Sequence, residues 1–294
     1  MLSLLIPTVA QGLLWALMAL GVYVTFRVLD IADLTVEGSF PLGAATAASM
    51  MVAGFGPLTA LLAAFVAGML AGVVTGLLHT KMKIPALLAG ILTMIALYSV
   101  NLRIMGKANL SLLGVDTAFK IAKSVLDLSM VQTTLVVGLA ATLLVGFFMY
   151  WFFGTQIGAA IRATGFNQQM IRAQGVDTDI TIILGLLLSN GLVAVSGALV
   201  AQSNGFSDVG MGTGTIVIGL ASVIIGEVLF GTRSFKNCLI SVVLGSIVYR
   251  IVIAAVLAMG MPPNDLKLFT SVLVALALSM PLIKAKMGGR KAVR

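Results

Sequence analysis

Long uncharged runs constrain this chain more than any other feature. No Asp, Glu, Lys or Arg occurs from residue 1 to 26, and after a short polar cluster (Arg27, Asp30, Asp33, Glu37) none occurs from 38 to 80. A segment crossing hydrocarbon needs about 20 apolar residues and must satisfy its own backbone hydrogen bonds, which a helix does. Runs of this kind recur to the end of the chain and predict an all-α, polytopic membrane protein. Only 10% of the 294 residues are charged while 60% are hydrophobic, and a soluble domain carries about a quarter charged. The apolar content also excludes a disordered chain.

Reading spans from the gaps between charges gives nine, in a count of about eight to ten: residues 1–26, 34–53, 57–79, 84–102, 131–153, 180–201, 215–230, 237–258 and 267–283. The break between the second and third is Gly54-Phe55-Gly56-Pro57, a turn sequence inside an uncharged stretch too long for one helix. Residues 103–129 form a more polar loop ending in a short amphipathic piece (Phe119, Ile121, Ala122, Val125, Leu126). The aromatic cluster at 147–153 suits a membrane interface. The whole of 1–294 thus reads as a single transmembrane domain with a polar segment at 154–178 and a basic tail at 284–294.

The net charge of +8 does not imply nucleic acid, because the 18 Lys and Arg are scattered between apolar runs and make no face that could track a phosphate backbone. The positive-inside rule accounts for them. It puts the tail, Arg233 and Lys236, segment 154–178, Lys81 and Lys83, and Arg27 on the cytoplasmic side. Four basic residues in 103–129, expected outside, are the one misfit.

Catalytic and metal chemistry find no foothold. Cys238 is the only cysteine and His79 the only histidine, so neither an internal disulfide nor a cysteine metal site can form. A Gly-x4-Gly-Lys-Ser/Thr phosphate loop is absent, so the chain itself is not expected to bind ATP, a metal or any other cofactor. What remains are polar groups at membrane depth, which are costly and mark pathways or packing contacts: Glu37, Ser39, Asn101, Asn190, Ser222 and Glu227. Arg250 also lies inside an expected span, where its long side chain could snorkel outward. Residues 33–54 and 208–231 look alike, each starting with an acid, running through glycine-rich apolar sequence and carrying a glutamate. In opposite orientation such broken, glycine-rich helices mark an inverted repeat around a transport pathway, an inference that serves a secondary transporter or channel equally well.

Segment 158–178 separates these readings. Gly158-Ala-Ala-Ile-Arg-Ala-Thr-Gly-Phe-Asn-Gln-Gln-Met-Ile-Arg-Ala-Gln-Gly-Val-Asp-Thr178 resembles the cytoplasmic coupling loop of the branched-chain amino acid and ribose permease family of ABC importers. The positions that carry the likeness are Gly158, Arg162, Ala163, Gly165, Asn167, Ala173, Gly175 and Val176. Ala32-Asp-Leu-Thr-Val-Glu-Gly-Ser-Phe40 is similar to that family's second-helix segment apart from an inserted Glu37, and Ile218-Gly-Leu-Ala-Ser-Val-Ile-Ile-Gly-Glu-Val-Leu-Phe-Gly231 to its later glycine-rich stretch. The pattern 34–44 resembles the subgroup linked to aromatic amino acid uptake. The resemblance implies a homodimeric permease in the lipid of a prokaryotic inner (plasma) membrane, forming the substrate pathway for an amino acid or similar small polar solute. It also implies a cytoplasmic ABC ATPase dimer, holding ATP and Mg, docked on the coupling loops, and an extracytoplasmic substrate-binding protein.

Overall fold

The computed structural model describes residues 2–260 and, beyond them, 262, 265, 268–272, 274–276 and 279. The first helix, α1 (Leu2–Tyr23), runs into one widened π-turn, Val24–Val28; a non-helical stretch, 29–35, leads to α2 (Val36–Val52), followed by α3 (Pro57–Thr80) and α4 (Ala86–Met105). The expected polar loop then holds a strand, β1 (Asn109–Ser111), and the amphipathic helix α5 (Ala118–Leu126). After α6 (Met130–Gly154) come the short helices α7 (Gln156–Phe166) and α8 (Gln168–Ala173). The remainder is α9 (Thr178–Asn204), β2 (Phe206–Asp208), a 3-10 turn at Val209–Gly212, α10 (Thr215–Phe230) and α11 (Phe235–Ala258).

Seven segments among the described residues are helices long and apolar enough to cross a membrane. The expected second span is α2, 17 residues long and not among the seven; α10 counts among them together with the 3-10 turn that precedes it, as Val209–Phe230. The span expected at 267–283 lies for the most part, and the 284–294 tail wholly, outside the described residues. Several helix starts are set by a side chain that accepts a first-turn N–H: Thr117, Ser129, Thr155, Asn167, Asp177 and Ser234. These caps satisfy donors that a helix cannot satisfy itself. The two short strands pair antiparallel, Asn109 opposite Asp208; they were not expected, because three residues carry no readable period.

The bundle is built around α1, whose residues from Leu14 to Val24 are almost entirely buried. Hydroxyls from three neighbours donate to its main-chain carbonyls: Thr142 of α6 to Leu13 O (3.1 Å), Ser189 and Ser196 of α9 to Gly21 O and Leu14 O (both 2.7 Å), and Ser246 of α11 to Gly12 O (2.9 Å). Between membrane helices lipid supplies no hydrophobic drive, so association rests on close packing and such bonds, each about 0.6 kcal/mol. Small residues bring the backbones together. On α3, Gly68, Gly72 and Gly76 lie one turn apart and press on Asn190, Leu186 and Ile183 of α9, and Gly43 of α2 presses on the Ala194 carbonyl.

The contacts repeat under an exchange of two triplets. α2 and α3 both pack on α9 and on each other, as α10 and α11 pack on α1 and on each other, while α1 and α9 pack together. The pairs Leu14 with Ser196 and Gly21 with Ser189 run in opposite residue order, so the two triplets are antiparallel. The inverted repeat expected from 33–54 and 208–231 is therefore present as packing.

Gly43→Ala is expected to lower the thermal midpoint in detergent by the equivalent of about 1–3 kcal/mol, since its Cβ would collide with the Ala194 carbonyl. Gly146→Ala on α6, where a Cβ meets nothing within 4 Å, is expected to be neutral or stabilising by up to about 1 kcal/mol. Equal midpoints for the two variants would contradict the close α2–α9 contact.

Candidate functional site

The stretch 29–35 interrupts the helical path beside Asn190, near the middle of α9. A broken helix inside a bundle leaves backbone groups that must find partners in the protein. Asp33, 2% exposed, supplies them: its Oδ1 accepts from Thr35 N (2.9 Å) at the start of α2 and its Oδ2 from Asn190 Nδ2 (2.8 Å). A carboxylate is also favoured there by the positive end of the α2 dipole. Asn190 then accepts from Ser39 Oγ (2.6 Å) and donates to Leu186 O (3.0 Å). The network continues through hydroxyls, with Thr35 to Thr75 at 2.8 Å and Thr75 to Thr93 at 3.0 Å, joining α2, α3 and α4. Charge spacing grouped Asp33 with Arg27 and Asp30 in the short polar cluster and passed it over as a site residue. The signal that marks it is an acid two residues ahead of the Thr35 cap position.

Glu37 and Asn101 line a cleft beside the same region. Asn101, fully buried, donates through Nδ2 to Gly38 O (3.2 Å), while its Oδ1 is buried without a hydrogen bond among the described residues. Glu37 Oε1 accepts from Gly214 N (3.0 Å), at the turn that starts α10. The N-terminal ends of the two interrupted helices thus meet. Here Glu37, Tyr98, Asn101, Gly210 and Thr213 line a cleft of about 430 Å³, within the range of small-ligand sites. Its polar lining includes the Glu37 carboxylate and the Asn101 amide oxygen with the hydroxyls of Ser99 and Thr213, beside the half-exposed Tyr98 ring. That chemistry suits a small solute with hydrogen-bond donors or a cationic group.

Four of the six sequence candidates, Glu37, Ser39, Asn101 and Asn190, come together. The other two do not. Glu227 lies in the last turn of α10 and takes a bidentate ion pair from Arg27, with Nε at 2.9 and 3.0 Å from its two oxygens. It is a strut between the ends of α1 and α10, three residues from the Phe230 terminus. Ser222 bonds back to Ile218 O (2.8 Å) of its own helix and sits against Gly245, a packing position.

Segment 154–178 is two short helices between α6 and α9. Most of α7 is fixed inward: Gly165 abuts the Val28 carbonyl, Thr164 Oγ1 lies 2.8 Å from Thr181 Oγ1, and the Arg162 guanidinium lies 5.3 Å from the centre of the Phe235 ring. Asn167 caps α8, its Oδ1 accepting from Met170 N (3.0 Å). Gly158 packs on the Phe152 carbonyl, Gly175 provides a left-handed turn (φ +85°), and Ala163 is half-buried while Ala173 is exposed. Asp179 receives Arg172 (3.1 Å) and Lys81 (3.4 Å), tying this segment to the end of α3. What protrudes is the tip between the helices, where Phe166 is 95% exposed and Asn167 to Met170 are exposed beside it. Arg162 is turned inward over Phe235 at the start of α11, and Gly165 has no room for a side chain.

The sequence profile of the family described as "Branched-chain amino acid transport system / permease component" matches residues 4–279. A tyrosine transport system permease protein of Clostridioides difficile is 41% identical over 93% of this chain and 90% of its own. A galactofuranose transporter permease of Escherichia coli is 30% identical over 90% of this chain and 75% of its own. A solved structure described as a metal-chelate type ABC transporter in an inward-facing conformation superposes with TM-score 0.51 at 15% identity, covering 96% of this chain and 85% of that one. At that identity the likeness is one of fold.

Asp33→Ala leaves Asn190 Nδ2 and Thr35 N–H without their buried acceptor and is expected to cost about 1–3 kcal/mol in thermal or denaturant unfolding. Because the two residues share a bond, Asp33→Ala with Asn190→Ala should fall short of the summed single losses by at least about 0.5 kcal/mol. Strict additivity would argue against the Asp33–Asn190 pair.

Proposed function

Because the chain belongs to the permease family of branched-chain amino acid transport systems, we propose that it is the membrane pathway of an ATP-driven importer of an amino acid, working with separate ATPase subunits. The observation that carries this reading is the tip of segment 154–178. An almost fully exposed phenylalanine on a rigidly braced helix pair is costly in water and is the kind of anchor that a partner's pocket covers. The bracing matters as much as the anchor. α7 touches the π-turn at the end of α1 through Gly165 and the start of α11 through Arg162, so a push on the tip bears on both repeat halves.

In this reading two copies of the chain form a homodimer in a prokaryotic inner membrane, and an ATPase dimer docks on the two tips from the cytoplasm. ATP and Mg belong to that partner. A binding protein on the opposite side delivers the solute to the cleft between α2, α4 and the turn at 209–214. Nucleotide binding then biases one of two arrangements of the repeat halves, the thermodynamic requirement for any such coupling. The 41% identity to a tyrosine permease supports an amino acid as the solute, and the carboxylate of Glu37 and amide oxygen of Asn101 supply acceptors for an ammonium group.

Phe166→Ala tests the docking surface without disturbing the fold, since the side chain is 95% exposed. Truncating a central interface aromatic costs about 2 kcal/mol or more, roughly 30-fold in affinity. Co-elution with the ATPase and ATP-driven uptake in proteoliposomes are therefore expected to fall together at an unchanged thermal midpoint. Unchanged co-elution, or wild-type uptake that proceeds with no ATPase present as in a secondary transporter or channel, would refute the assignment.

A further inference from the structure

Arg250 lies inside α11, yet it does not snorkel. Its guanidinium carbon sits 4.0 Å from the centre of the Trp15 ring of α1, and its Nε is shut off from solvent with no hydrogen bond among the described residues. None of the ion pairs among the described residues includes it. A cation held at this depth is expensive, and cation–π contact returns only about 2 kcal/mol. Intramembrane cations are retained chiefly where they serve a pathway.

The side chain faces a cavity of about 350 Å³ whose wall includes Thr213, Gly214 and Val217. Thr213 and Gly214 lead into α10 and Val217 lies in its first turn, where, apart from the Gly214 N–H taken by Glu37, the first N–H groups have no acceptor within the helix and carry partial positive charge. A guanidinium and the positive end of a helix thus address one space. Thr213 also lines the cleft of Glu37 and Asn101, so an acceptor-rich chamber and a donor-rich chamber share a single turn as their partition. Discontinuous helices whose starts point at an anionic solute group are a recurring transporter device.

We infer that Arg250 and the Thr213–Val217 turn form a station for the carboxylate of the solute in transit, distinct from the cleft at Glu37. This deepens the amino-acid reading above and rests on it. An anionic lipid headgroup offers related chemistry, and the experiment separates the two.

Trp15 is a built-in reporter, because the chain has two tryptophans and Trp151→Phe leaves it alone. In phosphatidylcholine nanodiscs, Trp15 emission should change saturably with L-tyrosine and not with tyramine, which keeps the ring and amine but lacks the carboxylate. Arg250→Met should abolish the response, whereas Arg250→Lys should keep the preference for L-tyrosine at about tenfold weaker affinity, as loss of a charge-assisted forked contact predicts. The Lys variant decides the matter if the Met variant does not fold. Equal responses to tyrosine and tyramine, a Met variant like wild type, no response to L-tyrosine, or a response only when phosphatidylglycerol is added would each overturn the inference. ATP-driven tyrosine uptake that is equal in wild type and Arg250→Met would sink the station while leaving the importer standing. Absence of ATP-driven uptake of any amino acid would instead sink the importer reading.

Discussion

In a hydrocarbon medium each unmet backbone N–H or C=O costs several kcal/mol, and the bundle is arranged around the two places where helical pairing stops. At 29–35 the Asp33 carboxylate closes the gap, bonding the start of α2 and, through Asn190, the middle of α9. At 209–214 the Glu37 carboxylate does the corresponding work for the start of α10. Each interruption is thus met by an acid from the α2 side. Of the two acids only Glu37 also lines the cleft, whereas Asp33 and its partner Asn190 are buried and form no part of its wall.

The repeat explains why the gap-closing groups are near one another. α2 and α10 start close together in space and depart toward opposite ends, each covered by the other triplet's first helix. Serine and threonine hydroxyls on α6, α9 and α11 bond α1 carbonyls that already serve the α1 ladder. Such second bonds leave the helix intact while fixing its rotation. The moving parts of a pathway are then better sought in α2, α3, α10 and α11 than in α1.

Helices were legible where composition dominates. Expected spans such as 57–79, 131–153 and 215–230 fall within two residues of α3, α6 and α10, because a span must be apolar throughout its length. The sequence was less informative wherever an acid was buried. Asp33 and Glu227 occupy similar positions in the charge pattern, yet one is a fully buried acceptor and the other an end strut paired with Arg27, two hundred residues away. Partner identity at that separation cannot be read from spacing. Segment 154–178 shows the same limit: its glycines and Arg162 stood out by likeness to a family, and the structure uses them to hold the helix pair down, while the exposure of Phe166 at the tip cannot be read from spacing.

The widened turn at Val24–Val28 has a bearing on how this chain can change. A π-turn holds one residue more than an α-turn in the same helical advance. A deletion inside the turn can therefore be absorbed by tightening it to a regular α-turn, with the chain beyond it still in phase. A deletion in the regular part of α1 has no such outlet and would rotate the junction by about 100°. Arg27 would then swing off Glu227, and the carbonyl of Val28 would leave the seat made for it by Gly165. The length of the first helix is fixed tightly everywhere except at its widened turn.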